Sequence, residues 1–207
     1  MTSAVLEVSD LACRRGGRQV FDNLSFSLAE GELLALKGRN GSGKTTLLRA
    51  LALLVPATVG AIRWRGADVG DDREGWRRRL AWLGHQDGLK GDLTVAENVA
   101  VAERLRGRNP RQAHVHGALA AFDLAALADR AVRTLSAGQR RRAALARVVA
   151  SEAGLWLLDE PLNALDLPAQ EALHDALARH LAAGGLAIAA THATLDIAGA
   201  RTLELGR

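Results

Sequence analysis

The sequence predicts an α/β fold in which a mixed sheet is flanked by helices and carries an inserted helical subdomain. Short strand-like and helix-like stretches alternate along the chain, which is typical of this fold class. Residues 155–158 and 186–190 are uninterrupted apolar runs, as expected of strands buried on both faces of a sheet. Residues from about 90 to 150 instead show helical patterns. We therefore expect a single domain over residues 1–207, with the helical subdomain at about 90–150.

The remaining strands and the first helix follow from shorter patterns. Residues 24–28 alternate polar and apolar side chains, as a half-buried strand does, and residues 33–36 form a short apolar run before a glycine-rich loop. Leucines at helical spacing then predict a helix over residues 45–54. Further strand-like runs lie at residues 62–64 and 80–84.

Two capping boxes predict helix starts inside the helical region. Residues 94–97 (TVAE) and 136–139 (SAGQ) each place a hydroxyl side chain three positions before a Glu or Gln. The second box predicts a helix that runs through Ala150. Between these two starts, residues 111–127 are rich in alanine and have helical spacing.

The composition excludes several classes of protein. Hydrophobic residues make up 48% and charged residues 24% of the 207 residues, which is a globular profile and not that of a disordered or collagen-like chain. The one cysteine, Cys13, cannot form an internal disulfide, so a reducing compartment is favoured. The longest apolar stretches, such as residues 50–57, are far shorter than the roughly 20 residues that span a bilayer. Work at a membrane would therefore require attachment through another molecule.

The charge is unevenly distributed, because residues 1–150 hold 24 of the 27 basic residues but only 15 of the 23 acidic ones. A basic region is compatible with nucleic acid, anionic lipid or nucleotide phosphates as partners. A genome rich in G and C, which favours Arg and Ala codons, is an alternative explanation. The low aromatic content, 3% of the chain, argues against a surface on which single-stranded bases stack.

Residues 38–45 (GRNGSGKT) fit the pattern G-x-x-x-x-G-K-[ST] between a predicted strand and a predicted helix. Glycines let backbone N–H groups turn toward phosphate oxygens, and the helix N-terminus adds its positive end. Lys44 can reach the β- and γ-phosphates, and the Thr45 hydroxyl can ligate Mg²⁺. We expect nine consecutive residues here to bind ATP: Gly38, Arg39, Asn40, Gly41, Ser42, Gly43, Lys44, Thr45 and Thr46.

A second acidic motif completes a phosphate-transfer site. The apolar run at residues 155–158 ends in Asp159 and Glu160. Asp159 can hold the Mg²⁺ ion by way of water, and Glu160 can polarise an attacking water as a general base. Together with the glycine-rich loop, this motif predicts a P-loop NTPase.

A third motif narrows the prediction. Residues 135–139 (LSAGQ), followed by three arginines, resemble the signature of the ABC-transporter ATPases. Ser136 and the N–H groups near Gly138 can form an anion site at a helix N-terminus. The resemblance implies the ABC ATPase version of the P-loop core, in which Ser136, Gly138 and Gln139 meet the γ-phosphate held by a second subunit.

The family resemblance also implies roles for four other residues. Gln86 stands where the family has a glutamine that contacts Mg²⁺ and the reacting phosphate, so Mg²⁺ is expected near Thr45, Gln86 and Asp159. His192 matches the histidine that contacts the γ-phosphate. Asp166 lies in residues 163–166 (NALD), which resemble the loop that contacts the opposite subunit, although the family usually begins it with Ser. Arg15 stands where the family usually stacks an aromatic side chain on adenine. The other histidines are expected to be structural or exposed: His85, His114, His116, His174 and His180.

Within the family, the chain most resembles the ATP-binding subunit of the haem exporter of cytochrome c maturation. Residues 84–98, 135–147 and 155–161 carry this likeness. It implies an ATP-hydrolysing motor with ATP and Mg²⁺ as cofactors, integral membrane subunits as partners and a second copy of the ATPase subunit. It also implies a peripheral position at the cytoplasmic face of the bacterial inner membrane.

Other functions remain open on the sequence. The ATPase subunit of another ABC transporter has the same motifs. A soluble ABC protein acting on DNA or ribosomes would carry a long coiled coil or a second cassette, and the 50 residues between Gln86 and Ser136 hold no sustained heptads. Nucleic acid is therefore not expected as a partner. A small-molecule kinase on a P-loop core would not need residues 135–139.

Overall fold

The computed structural model describes residues 4–193 and 195–206. Two short 3₁₀ turns, Ala125–Leu127 and Val132–Thr134, lie in the helical region. The described part of the chain contains nine strands and six α-helices: β1 (Leu6–Arg15), β2 (Arg18–Leu28), β3 (Leu33–Lys37), α1 (Lys44–Leu51), β4 (Val59–Trp64), β5 (Ala67–Asp68), α2 (Arg73–Arg79), β6 (Leu80–Leu83), α3 (Val95–Leu105), α4 (Gln112–Ala121), α5 (Ala137–Ala150), β7 (Leu155–Asp159), α6 (Leu167–Ala182), β8 (Leu186–Ala190) and β9 (Arg201–Glu204).

The predicted α/β fold class is confirmed, with the strands divided between two sheets. One sheet is parallel and has the order β6-β7-β8-β3-β9, and Leu157 of β7 lies opposite Ile188 of β8. Every residue of β7 and β8 is buried, as expected of strands covered on both faces. The carboxyl ends of parallel strands share one edge, so the segments after β3, β6, β7 and β8 meet there.

The second sheet is antiparallel, with the order β2-β1-β4-β5, and it pairs Val8 of β1 with Phe26 of β2 and with Ile62 of β4. Helix α1 packs on β1, β7 and β8. Its Leu47, Leu48 and Leu51 are fully buried in the core that joins the two sheets. This packing holds the start of α1 at the edge where the parallel strands end.

Residues 84–154 connect β6 to β7 and contain α3, α4 and α5, which form a second core with the other face of the parallel sheet. The predicted helix starts are confirmed, because Thr94 Oγ1 accepts a hydrogen bond from the Glu97 amide at 3.1 Å and Ser136 Oγ accepts one from the Gln139 amide at 3.2 Å. The hydrogen bonds from Thr94 lower the pKa of Glu97 below its ordinary value. Helix α5 runs through Ala150, as predicted, whereas α4 ends at Ala121, before the end of the alanine-rich stretch. Among the described residues, no helix is both long and apolar enough to cross a membrane.

Candidate active site

The glycine-rich loop joins β3 to α1 through backbone conformations that other residues rarely adopt. Gly38 has φ +137°, and a Cβ there would lie 2.4 Å from the Leu205 carbonyl oxygen. Gly43 has φ +102°, and a Cβ there would lie 2.8 Å from Val20 Cγ1. Glycine is therefore required at both ends of the loop, where the backbone turns in against neighbouring segments.

Lys44 is the first residue of α1, and its side chain folds back over the loop. Its Nζ donates hydrogen bonds to the carbonyl oxygens of Gly38 at 2.7 Å and Arg39 at 3.2 Å. The same Nζ lies 3.4 Å from His192 Nε2. The residue is only 8% exposed, so the loop holds a nearly buried positive charge at a helix N-terminus, an arrangement suited to phosphate.

Thr45 and Asp159 bring two oxygen ligands together. Thr45 Oγ1 lies 3.1 Å and 3.0 Å from the two carboxylate oxygens of Asp159, which is buried at the end of β7. Hydroxyl and carboxylate oxygens suit Mg²⁺, which usually takes few protein ligands and completes its shell with water and substrate phosphates. The described residues contain no group of three His, Cys, Asp or Glu that could hold a metal. The Thr45 and Asp159 oxygens fit a Mg²⁺ ion that also takes substrate phosphates as ligands.

Glu160 and His192 meet across the ends of β7 and β8. The side chain of Glu160 is 20% exposed and that of His192 54%, and Glu160 Oε1 lies 3.6 Å from His192 Nε2. His192 Nε2 also lies 2.9 Å from Asn40 Oδ1 in the glycine-rich loop. A carboxylate suited to accept a proton thus stands beside an imidazole and the loop that carries Lys44.

These groups line one cavity of about 360 Å³. Its walls combine most of the glycine-rich loop with the ends of β7 and β8 and with two residues not predicted to belong to the site, Val20 and His85, of which His85 was expected to be structural or exposed. The full lining is Val20, Asn40, Gly41, Ser42, Gly43, Lys44, Thr45, Thr46, His85, Asp159, Glu160 and His192.

Comparisons with known proteins agree with this geometry. A family profile described as ABC transporter matches residues 21–163. This chain belongs to the ABC transporter family. It is an ABC-type ATPase, and ATP is the nucleotide that this family binds.

The chain is similar over nearly its whole length to proteins named for cytochrome c biogenesis. It is 46% identical to the cytochrome c biogenesis ATP-binding export protein CcmA 2 of Cupriavidus metallidurans, over 97% of this chain and 95% of that protein. It is 48% identical to the CcmA of Rhodospirillum rubrum, over 98% of this chain and 86% of that one. The sequence resemblance to this group of ATP-binding subunits is confirmed.

Solved structures of ABC ATPases have the same fold. An ATP-binding subunit of an ABC transporter superposes with a TM-score of 0.82 at 27% identity, covering 91% of this chain and 80% of that one. A dimeric ATP-binding cassette with bound ADP and phosphate superposes with a TM-score of 0.83 at 25% identity, covering 97% and 94%.

Several predicted site residues are not part of the cavity wall, among them Gln86 and Arg15 and the first two residues of the glycine-rich loop, Gly38 and Arg39. Gln86 is exposed just beyond the end of β6, and its neighbour His85 lines the cavity instead. Arg15 is exposed at the end of β1, and Val20 is the residue of the β1–β2 hairpin that lines the cavity. That Gln86 contacts Mg²⁺ and that Arg15 contacts adenine therefore stay predictions.

The ABC signature residues also lie outside this cavity, as far as the described residues define its lining. Ser136 is exposed at the start of α5, where its capping box uses its side chain. Gly138 faces the segment after β7, since a Cβ there would lie 3.3 Å from the Ala164 carbonyl oxygen. Asp166 is exposed and caps α6, accepting a hydrogen bond from the Ala169 amide at 3.1 Å.

Proposed function

We propose that this ATPase is the motor subunit of an exporter that serves cytochrome c biogenesis, with haem as the transported or released cargo. The observation that carries the motor role is one cavity that unites Lys44, the Thr45–Asp159 pair and the Glu160–His192 pair. The names of its relatives support the cytochrome c connection. The haem assignment rests on the sequence resemblance alone.

The chemistry follows from charge and position. Lys44 neutralises charge on the β- and γ-phosphates. Thr45, Asp159 and Gln86 would hold Mg²⁺, which supplies further charge neutralisation on the phosphate oxygens. Glu160 accepts a proton from the attacking water, because its carboxylate opens into the same cavity as the loop. His192, between Asn40 and Glu160, orients that carboxylate and contacts the γ-phosphate.

A second copy of the chain completes the site in this proposal. Ser136, Gly138 and Gln139 lie at an exposed helix N-terminus outside the cavity of their own chain. The dimeric ATP-binding cassette that superposes on this chain supports a pair arrangement. In such a pair the Ser136 end of one copy faces the γ-phosphate held by the other, and Asp166 lies in the segment between the two sites.

Membrane subunits are the other partners in this proposal. The chain would work as a peripheral subunit at the cytoplasmic face of the bacterial inner membrane, held there by integral membrane subunits. We propose that residues from about 90 to 150 act as a helical subdomain, and that its cleft with the segment around Gln86 receives a helix of a membrane subunit. In this proposal the cargo is handled by those partners, and this chain supplies the ATP-driven motion.

Glu160→Gln tests this proposal in cells that depend on the chain. The amide cannot act as a base, so ATP turnover should fall by roughly 10²–10⁴ while ATP still binds. The variant should accumulate to normal levels, yet haem staining of c-type cytochromes should be lost. Glu171→Gln, an exposed change on α6, is the matched control and should stain normally. Normal staining with Glu160→Gln would reject the cytochrome c assignment, and normal turnover would move the base to another residue.

A further inference from the structure

Arg141 is a buried arginine in the second turn of α5, and nothing in the phosphate motifs accounts for it. The residue is 5% exposed. Burying a guanidinium is costly unless its N–H groups find acceptors, so its surroundings show what it holds in place.

The guanidinium joins the ends of two neighbouring strands. Its Nη1 donates to the Gly84 carbonyl oxygen at 2.9 Å and lies 3.3 Å from Asp87 Oδ1. Its Nη2 donates to the carbonyl oxygens of Asp159 at 2.9 Å and Glu160 at 2.6 Å. Arg141 Nε has no hydrogen-bond partner within the described residues. One side chain of the signature helix thus links the segment after β6 to the segment after β7.

The backbone that Arg141 holds at Glu160 is in an uncommon conformation. Glu160 has φ +46°, in the left-handed region, which residues other than glycine rarely adopt. Such a conformation persists only where neighbours fix it. The Glu160 amide donates to the Ala190 carbonyl oxygen at 2.8 Å, and the Glu160 carbonyl oxygen accepts from Arg141 and, at 3.2 Å, from the Asn163 amide.

A second arginine, Arg147, lies further along α5 and also contacts the segment after β6. Arg147 donates to the carbonyl oxygens of Gly88 at 2.7 Å and Asp87 at 2.9 Å. Burial lowers the pKa of Arg147 below its ordinary value. Residues 84–88, which include Gln86, are therefore attached to α5 at two points, and only the Arg141 point also holds Glu160.

We propose that Arg141 is a positioning residue for ATP hydrolysis, holding the Glu160 backbone so that the carboxylate faces the attacking water. Through the same guanidinium, a shift of residues 84–88 relative to α5 changes the position of Glu160. This inference rests on the proposed role of Glu160 as the general base. It assigns to Arg141 a larger effect on the rate of the chemical step than on ATP binding, because the guanidinium contacts the segments after β6 and β7 and no residue of the glycine-rich loop.

The neighbouring arginine on the same helix provides a matched control. Arg142 has its guanidinium 3.3 Å from the Phe122 carbonyl oxygen and 3.5 Å from Asp123 Oδ2, on the side of α4. Arg142→Met therefore removes the same charge from the same helix without touching the ends of β6 or β7. Arg141→Lys keeps a buried cation but replaces the forked guanidinium with a single amine. It serves in place of Arg141→Met if that variant does not fold.

The experiment measures ATP turnover and ATP KM of the wild type, Arg141→Met, Arg141→Lys and Arg142→Met in the transporter complex. Misplacing a catalytic group by about 1 Å can cost up to 10²-fold, so we expect kcat to fall at least about tenfold in both Arg141 variants. Their KM should change much less than kcat, because the contacts of the glycine-rich loop with ATP are unchanged. Arg142→Met should match wild type. An unchanged kcat in Arg141→Met, or equal losses in Arg142→Met, would overturn the proposal.

A double-mutant cycle separates positioning from general destabilisation. If Arg141 acts through Glu160, then adding Arg141→Lys to Glu160→Gln should lower kcat no further, because the base is already absent. A second full loss on top of Glu160→Gln would contradict the proposal. A wild-type chain that hydrolyses no ATP with its partners would instead defeat the proposed function itself, so the two failures are distinguishable.

Discussion

The N-termini of α1 and α5 are both suited to bind an anion, but the chain encloses them to different degrees. At α1, Lys44 is nearly buried and the surrounding loop lines a cavity together with residues from the ends of β7 and β8. At α5, Ser136 is exposed, and a reciprocal pair of hydrogen bonds with Gln139 already satisfies two backbone donors. The same helix-terminus physics therefore yields a nearly complete site in one place and an outward-facing surface in the other.

In the proposed pair, each chain would contribute to two ATP sites. The N-terminus of α1 with its cavity (the α1 half) would belong to one site, and the N-terminus of α5 (the α5 half) to the other. The α1 half has Lys44, the Thr45 and Asp159 oxygens proposed to bind Mg²⁺, and the Glu160 carboxylate in one cavity. The α5 half adds only N–H groups and a hydroxyl, and Gly138 packs near the carbonyl of Ala164 in the segment between Glu160 and Asp166. In the proposed pair, an α5 end built this way would contribute to hydrolysis only when a second copy places a phosphate in front of it.

The largest effect, a loss of ATP affinity, should come from a change in the α1 half. Lys44→Ala removes the nearly buried cation of the loop, and ATP affinity should fall by roughly 100-fold from the loss of charge-assisted hydrogen bonds. Lys90→Ala removes an exposed cation outside the cavity and is the matched control. Titration of each chain with a fluorescent ATP analogue measures the difference. Equal ATP affinities for the two variants would contradict this expectation, because the glycine-rich loop would then bind phosphate without Lys44.

A change in the α5 half should lower ATP turnover and leave the ATP affinity of a single chain unchanged. Ser136→Asp keeps a good N-cap but sets a negative charge where the partner's phosphate would lie, so turnover should fall at least about tenfold. Thr94→Asp makes the same change at the other capping box, on α3, and should leave turnover near wild type. ATP affinity and steady-state hydrolysis, measured side by side, check both. Weaker ATP binding by isolated Ser136→Asp chains would place Ser136 in the chain's own site.

Much of the enclosed half could be predicted because local patterns specify it. The phosphate loop, Asp159 and Glu160 lie at the ends of apolar runs that can only be buried strands. β1 was not predicted, since register shifts after Val8 and Leu11 break the alternation on which a strand prediction depends. β9 is a short, largely exposed edge strand that has no apolar run to reveal it.

The contributions of single side chains to the site were harder to predict than its backbone. Val20 and His85 line the cavity only because the hairpin and the segment after β6 pass close to the loop, which is a tertiary contact. The burial of Arg141 had no clear signal in the sequence, because Arg142 has apolar residues at the same helical spacing, at positions 145, 146 and 149. Tertiary packing decides which of the three consecutive arginines is buried.

The smallest expected effect concerns the stability of the fold and not the ATP site. His180 on α6 stacks on Trp156, with ring centroids 4.0 Å apart, and its Nε2 lies 3.0 Å from the Leu186 carbonyl oxygen. Burial lowers the pKa of His180, an effect that the hydrogen bond to Leu186 partly offsets. The folded state therefore favours neutral His180, and stability should be lost as pH falls from about 6.5, the ordinary pKa, through the lower pKa of the folded chain.

His180→Gln tests this pH dependence, because glutamine can keep a donor near Leu186 but does not titrate. The free energy of unfolding should fall more steeply with acid in the wild type than in the variant, when both are followed by urea denaturation between about pH 7.5 and 5. ATP affinity near neutral pH should be the same in both chains. Parallel stability curves would show that His180 does not titrate in this range.

Mixing two inactive chains tests most directly whether a second copy completes the ATP site. Lys44→Ala keeps the α5 half intact and Ser136→Asp keeps the α1 half intact, so a head-to-tail pair of the two rebuilds one whole site. With different tags on the two chains, mixed complexes can be purified with their membrane partners and assayed for ATP turnover against complexes of each variant alone. If a second copy completes the site, mixed complexes should recover turnover far above complexes of either variant alone. Mixed complexes that stay as inactive as the single variants, beside an active wild type, would contradict it.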